Sequence, residues 1–129
     1  MTARKSAATS REVAIAAARA AADKQAVDIM ILDVRELIVI TDYFVIATAS
    51  SRRQIRSVVD EIERSVRDKD AKPLRREGEP EGGWWLLDYF DVVVHVFGEE
   101  ERDYYDLERL WRDAPRVEWD PGSGEASSG

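Results

Sequence analysis

The 129-residue chain has no cysteine and only one histidine, His95. Disulfides, thiolate nucleophiles and cysteine-based zinc sites are excluded together, and one imidazole cannot assemble an ordinary zinc centre. A small domain without disulfides suits a reducing compartment, so a cytoplasmic address is expected. No run approaches the roughly 20 apolar residues of a membrane-spanning helix. The Ala-rich N-terminal stretch is broken by Arg11, Glu12 and Arg19 and reads as a helix in water, not a signal peptide. There is no internal repeat. Nor does any predicted strand carry the paired carboxylates that a metal-dependent phosphoryl transferase needs. No metal and no cofactor are expected.

What is present suits one globular domain: 44% hydrophobic residues in a length that fits a single core. Charge is unevenly placed. Residues 51–76 carry a net +4, whereas residues 77–129 carry −11 of a total of −7. The C-terminal portion would repel phosphate, which disfavours sequence-specific nucleic-acid binding and favours a basic protein partner.

Thr9-Ser10-Arg11-Glu12 fits a capping box and opens a helix running to about Lys24. Residues 28–33 and 43–49 are apolar on both alternations and read as strands buried on both faces. Ser51-Arg52-Arg53-Gln54 is a second capping box. Ile55, Val58, Val59, Ile62 and Val66 then fall on one helical face. A short strand near 74–76 precedes the loop 77–83. Two strands follow, about 84–89 and 92–97, joined by a tight turn at Phe90-Asp91. Glu99, Glu100 and Glu101 suit the N-terminus of a last helix, with Tyr104, Leu107 and Trp111 as its apolar stripe and Pro115 as its end. The order α-β-β-α-β-β-β-α predicts an α/β fold with a mixed sheet and flanking helices. Residues 1–9 are expected to be a flexible N-terminus, residues 10–115 the domain, and residues 116–129 a disordered acidic tail.

Three features could carry chemistry. Ser50-Ser51 ends a strand and starts a helix, as in nucleotidyltransferases that hold triphosphate on free backbone N–H groups. Without paired carboxylates, helix capping explains Ser51 sufficiently. His95 as a general base would need a nucleophile and an orienting acid, and Asp88 across the hairpin could supply the acid. A neutral imidazole on a sheet face, or a contact residue, is the better reading. The third feature is Gly83 to Phe97, which reads GWWLLDYFDVVVHVF. Trp84, Leu86 and Asp88 share one side of its first strand, and Trp85, Leu87 and Tyr89 the other. Both faces are apolar. One helical layer covers only one face, so aromatic surface is expected to remain for a partner.

These residues resemble the ribosomal silencing factor, or Iojap-like, family. The resemblance rests on Asp28 to Asp33, on Ile40-Thr-Asp-Tyr-Phe-Val-Ile-Ala-Thr-Ala-Ser-Ser-Arg52, on Trp84 to Phe97 and on Glu101 to Trp111. It covers about residues 10–113. It implies a nucleotidyltransferase-like fold lacking catalytic carboxylates and no enzymatic activity. It also implies a translational repressor that binds the large ribosomal subunit through ribosomal protein number fourteen. Such a protein blocks joining of the small subunit in nutrient limitation or stationary phase and is a homodimer off the ribosome. Residues implied in partner binding are Asp42, Tyr43, Trp84, Asp88, Tyr89, Asp91, His95 and Tyr105. Trp85, Tyr89 and Phe90 are expected at the dimer interface. The alternatives are a residual nucleotidyltransferase-type enzyme and an assembly factor for the large subunit.

Overall fold

The seven residues from Tyr43 to Ala49 are all buried, and the fold is built outward from them. The computed structural model describes residues 9–69, 71–79 and 83–119. Its elements are α1 (Ser10–Asp23), β1 (Val27–Asp33), β2 (Tyr43–Ala49), α2 (Arg52–Arg67), β3 (Arg75–Glu79), β4 (Trp84–Asp88), β5 (Val92–Gly98), α3 (Glu99–Tyr105) and α4 (Leu107–Leu110). The strands form one sheet in the order β1-β2-β5-β4-β3. β2 and β5 are parallel; the other neighbouring pairs are antiparallel. The mixed sheet expected from the element order is therefore present.

The alternation of side chains divides the core in two. Tyr43, Val45 and Ala47 of β2, Val92, Val94 and Val96 of β5, and Trp85, Leu87 and Tyr89 from the β4 side face α1 and α2. Ile55, Val58, Val59, Ile62 and Val66 of α2 are all buried there, as their spacing requires. α1 meets this core with small alanines, which lets it approach α2 closely. The opposite face carries Leu32, Phe44, Ile46 and Phe97, covered by Val34, Ile38, Leu107, Trp111 and Ala114. That cover reaches β1, β2 and the end of β5, but not the middle of β4.

Both caps form, one of them altered. Thr9 Oγ1 accepts from the Glu12 amide at 3.1 Å, and Glu12 Oε1 accepts from the Thr9 amide at 3.0 Å. Ser51 Oγ accepts from the Gln54 amide at 3.1 Å. The return arm from Gln54, however, takes the amide and hydroxyl of Ser50, one residue earlier. Gln54 also donates to the Lys24 carbonyl at 3.0 Å, tying the start of α2 to the end of α1.

Several expectations need correction. β1 is an edge strand: only Ile31 and Leu32 are buried, and Asp28 at φ 50° marks an irregular register. β3 runs on to Glu79, into the stretch expected as loop. The last helix is broken. Asp106 adopts a left-handed conformation, φ 45° and ψ 54°, which Asp tolerates better than most residues. The break turns Tyr104 out to solvent, 81% exposed, while Leu107 and Trp111 still meet the core. Residues 116–119, expected as tail, lie along β1 instead. The Val117 amide donates to the Ile31 carbonyl, and the Asp33 amide to that of Pro115. Val117 and Trp119 pack on the core. Thr9, assigned to the flexible N-terminus, is the cap of α1. The expectations for residues 1–8 and 120–129 lie outside the described residues.

Candidate functional site

The hairpin of β4 and β5 places the sequence-derived candidates. Its turn is closed by the Tyr89 amide on the Val92 carbonyl at 2.8 Å, and Asp88 Oδ1 accepts from the Phe90 amide at 2.8 Å. In this register Leu86, not Asp88, lies opposite His95, and Asp88 lies opposite Val93. The acid imagined for a His95 general base is therefore elsewhere, paired with Arg75 at 3.4 Å.

His95 is packed among aromatic rings. It stacks on Trp84 at 6.2 Å and Phe97 at 5.8 Å, and meets the edge of Phe44 at 5.6 Å. Its Nδ1 accepts from Trp84 Nε1 at 3.3 Å, which assigns the remaining proton to Nε2. Burial pushes its pKa down to about 4, so the ring is neutral near pH 7. Tyr105 closes the stack over Phe97 at 5.7 Å and tilts against Trp84 at 6.1 Å. Trp84, His95 and Tyr105, three residues predicted for a partner, are thus brought together. Leu86, Val93 and Phe97 complete the same face. Sequence reasoning did not single them out as contact residues, although their parity with Trp84 and His95 was a sufficient signal.

The other candidates fall elsewhere. Tyr43, Trp85 and Tyr89 point to the α1/α2 side. Tyr43 is buried beneath the guanidinium of Arg35, and Trp85 is half-buried beneath that of Arg76 at 4.6 Å. Tyr89 is buried with no partner for its hydroxyl, whose pKa is raised by desolvation and by Glu63. A contact or dimer role is not what these positions offer to solvent. Of the expected dimer residues only Phe90 is exposed, at 64%. Asp42 and Asp91 meet at one end of the sheet, where the Asp42 amide donates to the Asp91 carbonyl at 2.8 Å. The Asp91 carboxyl is held above its usual range by desolvation and by Asp42.

The Ser50-Ser51 turn lines an open groove with Gly83 and Gly98, opposite Glu99, Glu100 and Glu101. The Ser50 amide is already taken by Gln54. A triphosphate placed there would face carboxylates, which argues against the nucleotidyltransferase alternative. Among the described residues no three or more His, Asp or Glu are grouped to hold a metal. No described helix is long and apolar enough to cross a membrane.

Residues 7–128 match the family described as "Ribosomal silencing factor during starvation", a span wider than the 10–113 that carried the resemblance. The chain is 40% identical over 109 residues to the ribosomal silencing factor RsfS of Bacillus subtilis, covering 84% of this chain and 92% of that protein. It is 35% identical over 105 residues to the chloroplastic protein Iojap of Zea mays, covering 81% of this chain and 46% of that one. A crystal structure of a Chromobacterium violaceum protein superposes with a TM-score of 0.77 at 33% identity. That superposition covers 81% of this chain and 87% of the other, and it supports the α/β architecture.

Proposed function

The chain belongs to the ribosomal silencing factor (RsfS/Iojap) family, and from that premise we propose that it binds the large ribosomal subunit through ribosomal protein number fourteen. On that subunit it sterically blocks joining of the small subunit and lowers translation when nutrients are scarce. The observation that carries this reading is the part of the sheet that the α4 side does not cover, where Trp84, Leu86, Val93 and His95 lie side by side and half-buried. A face of this kind, aromatic at its centre and flanked by carboxylates, suits a basic protein surface. A nucleotidyltransferase-like ancestry is compatible with the strand-to-helix turn at Ser50-Ser51, and the carboxylates opposite it favour a binding role over a catalytic one.

Co-sedimentation with isolated large and small subunits, followed by a subunit-joining assay, tests the reading. The wild-type chain should pellet with large subunits and inhibit joining. Trp84→Ala should lower affinity about thirtyfold, the loss typical of a truncated anchor. Because Trp84 also packs on Phe97 and Tyr105, some stability is lost with it; Leu86→Glu, outside the stack, serves as the second variant. A wild-type chain that ignores large subunits sinks the reading. Binding without inhibition of joining favours the assembly-factor alternative.

A further inference from the structure

One end of the sheet carries apolar side chains that folding does not use. Val39 is 99% exposed and Ile40 75%, in the loop between β1 and β2; Phe90 is 64% exposed in the turn between β4 and β5. The two loops are laced together, since Asp42 donates to Asp91 and these residues lie two from Ile40 and one from Phe90. Phe90 has a second peculiarity. Its φ is +77°, a left-handed conformation that a bulky side chain rarely adopts. The carboxylate of Asp88 holds it there through the Phe90 amide. Backbone strain is thus used to hold an aromatic ring in water, which gains nothing for the fold.

Arg35 lies within electrostatic reach of Asp42 but is bonded to Asp33, which leaves the rim acidic on balance. Asp33 and Asp88 are paired with Arg35 and Arg75. Asp42 accepts from the Ser10 hydroxyl, and neither Asp42 nor Asp91 has an ion-pair partner among the described residues. Desolvation first, and then the neighbouring Asp42 carboxylate, disfavour ionisation of Asp91, whose carbonyl accepts from the Asp42 amide. A lysine or arginine brought between them would relieve that repulsion, whereas a phosphate backbone would worsen it. The rim also continues the open sheet face, because Val93 and Asp88 are directly opposite each other and border the turn.

We propose that this end of the sheet, formed by Val39, Ile40 and Phe90 around Asp42 and Asp91, is a second docking surface, for an apolar protein segment bearing lysine or arginine. Asp88 is its positioning residue. The proposal rests on the silencing reading and assigns the partner segment to the protein component of the large subunit, not to its RNA.

Phe90→Gly is the decisive variant, because glycine accepts φ +77° without strain. It should melt at or above the wild-type temperature, yet bind isolated large subunits about tenfold more weakly or worse. Val39→Asp with Ile40→Asp should behave alike in binding. Asp42→Asn with Asp91→Asn should flatten the dependence of affinity on salt. A wild-type chain that binds, beside a Phe90→Gly variant that binds equally well, overturns this surface and leaves the silencing reading standing. A wild-type chain that does not bind overturns both. Loss of self-association in sedimentation velocity, with subunit binding unchanged, assigns the rim to a second copy of the chain and also overturns the proposal.

Discussion

His95 and Tyr89 are separated by the pleat of the hairpin, and each makes its own prediction. His95 is neutral in the native protein down to about pH 4, against an ordinary value near 6.5. Between those limits the unfolded chain binds a proton that the native one refuses. Stability contributed by the neutral ring is complete above pH 6.5, is lost as pH falls to 4, and is constant below that. The whole effect is at most about 3–4 kcal/mol. Urea melts of wild type and His95→Gln from pH 7.5 to 4 should diverge within this window alone; parallel curves would show that the ring is not desolvated. For Tyr89, the ring fills the core while its hydroxyl lacks a partner. Tyr89→Ala should cost about 3–5 kcal/mol as a cavity, whereas Tyr89→Phe should be neutral or slightly stabilising. Any loss of self-association in Tyr89→Ala would then follow from unfolding, and thermal melts of the pair decide it.

Among the elements, the corner of α3 and α4 is held by a buried arginine. Arg102 donates to Thr48 Oγ1 and, through two nitrogens, to the Glu108 carboxylate at 3.0 and 3.1 Å. These bonds hold the Glu108 carboxyl below its usual range. The stabilisation is therefore present above about pH 4.5 and fades as pH falls through the native value. Arg102→Met would leave Glu108 without its cation and Thr48 without its donor. Since Glu108 keeps some contact with water, about 2 kcal/mol is expected, less than for a fully buried pair. Near-UV circular dichroism should report it, because Trp111 packs edge-on to Phe44 through this corner. An unchanged spectrum and melting point would show that the corner is held by its apolar contacts alone. Neither the break at Asp106 nor this clamp was legible beforehand. Glu99 to Trp111 has an adequate helical stripe, and only the position of Thr48 on the sheet makes Arg102 turn inward.

For the molecule as a whole, β1 is the outer strand that most needs cover, and residues 115–119 supply it. Arg19 Nε adds a bond to the Trp119 carbonyl at 3.2 Å, joining the segment to α1. A chain ending at Pro115 should lose about 2 kcal/mol from the apolar area of Val117 and Trp119 and present the β1 edge for unwanted strand pairing. Urea unfolding and light scattering test both; full stability in the truncated chain would make the segment dispensable.

Elements with local signals were legible in the amino-acid order. α2 was legible because five apolar residues repeat on one face, α1 because a capping box opens it, and β2 because its residues are apolar on both alternations, a signal that held there but not in the edge strand β1. The family was legible in motifs at fixed spacing. The partition of the aromatic hairpin was not legible in this way. Trp84 and Trp85, or Asp88 and Tyr89, are neighbours in sequence, and period-two alternation says only that they part. Which of each pair meets α1 and α2 depends on where those helices pack, and that is set by the small alanines of α1 and the apolar face of α2. The open face therefore falls to Trp84, Leu86 and His95, and Trp85 and Tyr89 go to the core, for a reason that lies outside the hairpin itself.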